Sequence, residues 1–197
     1  MVVRLSEMLT DIDGSEYSLE LGYVIFYLIC HYFTGDSPMD KNLLVGLSPE
    51  RIYLDSDWKK DMKYIYLDDP QPPFIALAYY PPSYASGLSD WDDSCSVYAL
   101  CAMLYRISSC ALPYVDNPDE DLDVLIAQER VENLTGERKY PLYLDCFDES
   151  VRSLLRKGLS LDKESRYQTL EEAFEDFKKI PLRKILYHNS DYPIKNV

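Results

Sequence analysis

The sequence predicts a mainly α-helical domain that carries one small β-hairpin and one long proline-rich loop. Three observations lead there. Two stretches, 19–33 and 96–107, are apolar at nearly every position, the pattern of helices buried on all sides. Residues 45–55 and 63–69 each hold a short alternating run, with a polar patch between them, as two strands joined by a turn do. Residues 70–90 contain five prolines, which exclude a long helix there.

Taken in order, residues 1–17 (MVVRLSEMLTDIDGSEY) read as an arm or a short helix, and they lack the basic and apolar regions of a signal peptide. Ser18 is the expected N-cap of a helix over 19–34, with Gly35 as its stop. Its apolar core, Leu19 to Phe33, is too short and, with Glu20 and His31, too polar to cross a bilayer. The hairpin follows, and then the extended loop. The second buried helix, SVYALCAMLYRI, is expected to begin near Asp92 or Asp93, whose charge favours a helix N-terminus. LDVLIAQERVENL (122–134) reads as a short amphipathic helix. DESVRSLLRKGL has Asp148 as cap, Val151, Leu154 and Leu155 on one face, and Gly158 at its exit. In TLEE, Thr169 and Glu172 form the expected capping box of the last helix, whose buried side is Ala173, Phe174 and Phe177. Pro181 ends it. The organisation is one domain over 18–181 and a tail over 182–197.

Composition narrows the function. With 34 acidic and 20 basic residues the net charge is −14, which argues against coating nucleic acid or docking on an anionic membrane, since both need clustered cations. The five cysteines form no CxxC pair, so neither a disulfide framework nor a zinc site is indicated, and a cytoplasmic setting is expected. The 18 tyrosines point first to half-buried packing and second to a partner surface.

The order of these elements carries a resemblance. LSPERIYLD (47–55), SVYALCAMLYRI (96–107) and GLSLDKESRYQTLEEAFEDF (158–177) resemble, in turn, the catalytic loop, the central helix and the last helices of the C-terminal lobe of a bacterial-type Ser/Thr protein kinase. The resemblance implies a kinase C-lobe-like helical domain, with 70–90 as its activation-segment-like loop. It also implies that the catalytic groups are lost. Against H-R-D-L-x-P-x-N the chain reads L-V-G-L-S-P-E-R, so Gly46 stands at the catalytic Asp and Arg51 at the metal-binding Asn, while Pro49 is retained. Tyr66 stands near the start of D-F-G, with Asp68 or Asp69 reaching the metal position only after a slip in register. Ser83 replaces the Glu of A-P-E, and Ser96 the Asp of the central helix. Arg166 matches the Arg that pairs with that missing Glu. Either another acid replaces it, with Asp145, Asp148 or Glu149 expected ahead of Glu164, or Arg166 turns toward solvent. No Gly-rich loop, V-A-I-K lysine or N-terminal lobe is found.

The resemblance therefore implies a pseudokinase-like scaffold without phosphoryl transfer, catalytic residues, metal or cofactor. Its partner would be another protein, such as a kinase or signalling component, or a second copy of the chain. The expected contact surface is the tyrosine-rich stretch with Phe74, Tyr79, Tyr80 and Tyr84. The alternatives are half of a kinase completed in trans by a separate N-lobe, a kinase fold reused for another transfer, or a decayed gene product. Four further features have plain structural explanations. Asp68 and Asp69 read as turn residues, His31 as a core histidine, Ser94 to Ser96 as helix-start capping, and the acidic run 116–123 as a solvated loop.

Overall fold

The computed structural model of the chain describes residues 2–11, 17–55, 65–70, 79–85, 87, 90–109, 111–114, 141 and 143–181. Its centre is helix α4 (Asp93–Ser109), in which every residue from Ser94 to Tyr105 is buried. The reason lies in its composition. Small residues (Ala99, Cys101, Ala102) alternate with large ones (Tyr98, Leu100, Met103, Leu104, Tyr105), so neighbours can approach on every side. Helix α2 (Tyr17–Thr34) packs along it, as the two apolar stretches predict. Helices α5 (Glu149–Gly158) and α6 (Leu170–Lys178) close the remaining sides. Between α2 and α6 the contact is aromatic. Phe26 stacks on Phe177 with centroids 4.6 Å apart, and Tyr27 meets Phe174 edge-on at 5.5 Å.

The caps follow the expected chemistry. Asp148 accepts the Ser150 N–H at 3.0 Å, and Val151, Leu154 and Leu155 are buried. Thr169 accepts the Glu172 N–H at 3.2 Å, but the return bond goes from the Gln168 N–H to Glu172 at 3.1 Å, one residue earlier than a full capping box requires. The 70–90 loop contributes the short helix α3 (Pro82–Ala85), which begins on a proline, where the missing N–H is harmless.

The expected hairpin exists but has a third strand. Strand β2 (Ile52–Asp55) pairs antiparallel with β3 (Ile65–Leu67), and on its other side with β1 (Val2–Arg4). Helix α1 (Leu5–Asp11) continues from β1 and packs on β2. The arm 1–17 thus supplies a strand that the sequence reading did not expect, because three residues are too few to show a period. Leu5, Ile52 and Leu54 are fully buried on the inner side. The pairing places Arg4, Tyr53 and Tyr66 in one row on the outer face.

Three expectations are corrected. Ser18 lies inside the first turn of α2, which already begins at Tyr17, rather than ahead of it. His31 is exposed and stacks on Tyr27 at 5.7 Å, so it is no core histidine. Arg166 is 2% exposed and meets none of the four acids proposed for it. Asp145 and Glu149 instead pair with Arg152 at 3.5 and 3.2 Å. The helix over 122–134, the acidic run 116–123 and Phe74 lie outside the described residues.

The tightest approach in the core is Gly158 of α5 against α4. A Cβ there would stand 2.2 Å from the Cys101 sulfur and 3.1 Å from its Cβ. Gly158→Ala is expected to destabilise the fold by about 1–3 kcal/mol, the usual range for overpacking. Cys101→Ala in the same chain should recover part of that loss, because it removes the clashing sulfur. Chemical denaturation of the four proteins in this double-mutant cycle measures it, and strictly additive effects would show that the two sites do not touch.

Candidate functional site

Gly46, Pro49 and Arg51, three of the positions that the resemblance singles out, gather where the sheet meets the turn before β2. A 3-10 turn at Lys41–Leu44 leads through Gly46 into a second at Pro49–Arg51, and β2 follows directly. Gly46 has a φ of +65°, a conformation that strains any residue with a Cβ. Gly46 thus serves as a backbone turn. Its carbonyl accepts the Tyr80 hydroxyl at 3.2 Å. Pro49 is buried as the first residue of its turn.

Arg51 is 8% exposed, and its charge is met by backbone carbonyls. Nε and Nη2 donate to the Asp68 carbonyl at 3.2 and 2.5 Å. Nη2 also donates to the Leu43 carbonyl at 2.7 Å, and Nη1 donates to the Val45 carbonyl. Backbone bonds reinforce the same junction, with the Asp68 N–H donating to the Arg51 carbonyl at 3.0 Å. Burial lowers the pKa of Arg51, and Tyr80, Asp68 and Asp69 oppose that effect. Starting from an ordinary value above 12, the side chain stays charged at neutral pH. A fixed cation therefore sits at the junction of the turn and the sheet.

On the outer face, Tyr53 links two charges. Its hydroxyl accepts from Arg4 Nε and Nη2 at 3.1 and 2.7 Å and donates to Asp68 Oδ2 at 2.9 Å. The Asp68 side chain is thus engaged in the sheet, and Asp69 beside it is exposed. Tyr66 is 55% exposed and stands alone among the motif positions in pointing to solvent.

The remaining positions meet at the start of α4. Asp92 caps the helix, accepting the Cys95 N–H at 3.0 Å and the Ser94 hydroxyl at 2.6 Å, and it pairs with Lys163 at 2.6 Å. Ser96 accepts the Trp91 indole N–H at 2.9 Å. Ser94 and Ser96 thus serve the helix start, as their position predicts. Tyr80, Tyr84 and Trp91 form three mutually perpendicular contacts at 5.0–5.8 Å. Tyr80 is buried, so it belongs to the interior and not to an open contact surface. Tyr79, Tyr84 and Ser83 are half-buried. Burial pushes the Tyr79 hydroxyl up to about 12, and a bond from Arg106 only partly offsets this. Sequence reasoning missed the Trp91 cluster and the Asp92–Lys163 bracket, because both join residues that share no local period.

Among the described residues, no three His, Cys, Asp or Glu side chains come together as metal ligands, and no helix is long and apolar enough to cross a membrane. Neither the models of known protein families nor the curated proteins give a match to this chain.

Two outcomes follow from this geometry. Arg51→Met should cost roughly 3 kcal/mol, since it strands three partly buried carbonyls that had charged donors. Native-state hydrogen exchange should show β3 losing protection first, and unchanged protection of 65–68 would mean that Arg51 does not hold the sheet. The second outcome concerns Asp92. Burial works to raise its pKa, but the bonds from Lys163, Ser94 and Cys95 outweigh it and hold the carboxyl well below the usual range. A folded-state value below the unfolded value of about 3.9 stabilises the protein above that pH and ceases to as pH falls through the folded value. Asp92→Asn should therefore be less stable than the parent at pH 7, with the gap closing below pH ~4. A gap independent of pH would rule this out.

Proposed function

We propose that the chain is a catalytically silent, kinase C-lobe-like module that acts by binding another protein. Arg51 carries the reading. Phosphoryl transfer in the family needs an anionic or amide oxygen for Mg²⁺ at that position, and here a guanidinium held by three carbonyls occupies it. Gly46 offers no side chain as a base, and its carbonyl is engaged by Tyr80. Ser96 and Ser83 leave no carboxylate at two further family positions. The mainly helical core with its small antiparallel sheet is compatible with the reading. A cytoplasmic setting is part of the proposal, in keeping with the free thiols of Cys30, Cys95, Cys101 and Cys146.

The surface for such a partner shifts from the one expected. Tyr80 is withdrawn into the core, leaving Tyr79 and Tyr84 at the rim of the 79–85 segment. Val2 and Tyr66, each more than half exposed, lie on the outer sheet face and offer a second open surface.

Metal is the sharpest probe, because the family's metal ligands all lie within this lobe and need no N-lobe. With millimolar Mg²⁺ and ATP the melting temperature should not rise; a ligand at a hundred times its Kd would add about 2.7 kcal/mol. Mn²⁺ should cause no paramagnetic broadening around Asp68. Either a clear thermal shift or broadening centred on Asp68 would overturn the proposal and favour a kinase half completed in trans.

A further inference from the structure

Arg166 presents the opposite case to Arg51. It is 2% exposed, yet none of its three guanidinium nitrogens has a hydrogen-bond partner among the described residues. Its one close neighbour of note is the face of the Tyr98 ring, 5.7 Å from Cζ, which provides a soft contact but no acceptor. A guanidinium carries five N–H donors and does not discharge at any ordinary pH. Burying it with no acceptor is among the costliest arrangements a core can hold.

The acids nearby are already committed. Asp92 is bonded to Lys163, Ser94 and the Cys95 N–H. Asp162 is an exposed cap, accepting from Ser165 and the Glu164 N–H. Asp145 and Glu149 pair with Arg152. The neighbouring cationic groups are themselves answered by Asp92 and leave no acid for Arg166. Tyr98 and Cys95 belong to the first two turns of α4, a 17-residue helix whose N-terminus carries the positive end of its dipole. Lys163 lies three residues before Arg166 and reaches the cap of the same helix.

We infer that Arg166, under the start of α4, is a binding socket for a small inorganic oxyanion of the phosphate or sulfate class. A tetrahedral oxyanion takes two parallel N–H bonds from a guanidinium, the geometry that arginine matches best. At 2% exposure the socket selects a small free ion over a phosphoryl group carried on a peptide. The inference is independent of the kinase-like reading, since it rests on burial, bonding and charge alone.

The test uses the full chain in a phosphate-free buffer. Thermal unfolding is followed as phosphate or sulfate replaces chloride at constant ionic strength. The parent should gain several degrees in a saturating manner, as a single site does. Arg166→Met should lose that gain and, without phosphate, be at least as stable as the parent, because an unpaired buried charge is gone. Lys163→Met should keep the gain, which separates the socket from a surface lysine. Should Arg166→Met fail to fold, isothermal titration of the parent with phosphate still decides, with one saturable site expected and competition by sulfate. The proposal is overturned if the parent shows no gain beyond chloride, if Arg166→Met shows the same gain, or if Lys163→Met abolishes it.

Discussion

The guanidinium of Arg51 joins three stretches of chain that have little else in common. It grips the carbonyls of Leu43 and Val45 on one side and that of Asp68 on the other. Those groups end a 3-10 turn and a β-strand, places where backbone oxygens lose their regular partners. A small sheet of three- and four-residue strands is too short to hold itself. Its stability depends on being attached to the helical core, and Arg51 is the charged part of that attachment. Removing it leaves the apolar contacts of Leu5, Ile52 and Leu54, which press the sheet inward but do not fix where β3 ends.

The helical core obeys a different rule, that of volume. α4 is surrounded on all sides, so its outer dimension sets how near α2, α5 and α6 can come. Gly158 against Cys101 marks where the spacing is smallest. The polar residues of α4 are confined to its first turn and its last. At the start, Ser94 and Ser96 are buried but bonded, and at the end Ser109 donates to the Tyr105 carbonyl at 2.7 Å. Three of its hydroxyls satisfy the helix's own ends or a neighbour such as Trp91, whereas the Ser108 hydroxyl is buried with no partner among the described residues.

What the sequence made legible was whatever a single element announces by itself. The α2, α4, α5 and α6 segments were readable from apolar pattern and capping residues, because both are local and repeat within one or two turns. The pair of strands flanking residues 56–64 was readable for the same reason. β1 was not, since three residues show no alternation and its partner lies about fifty positions away. His31 was misread because the apolar run around it hides which side of α2 it occupies. The fates of Tyr80 and Arg166 were beyond reach for a further reason: each depends on partners from distant elements, and no spacing rule connects them. At the candidate site, the identities of Gly46 and Arg51 were visible, whereas the carbonyl grip was not, because backbone oxygens carry no residue code.

The two buried arginines show why residue type alone decides so little about function. Both are guanidiniums in an acidic protein of net charge −14, and both are nearly sealed from water. Arg51 meets carbonyl dipoles on several sides, so its field is spent locally and it behaves as a structural cross-link. Arg166 meets an aromatic face and a helix start, which leave its donors directed at nothing that accepts. The difference arises from the backbone around each one. Around Arg51 two chain segments end and turn their oxygens inward. Around Arg166 a helix begins, and helix beginnings present N–H groups rather than oxygens. A cation set among donors attracts an anion, whereas a cation set among acceptors repels other cations. The same side chain thus cross-links backbone in one place and is left with its donors unanswered in the other.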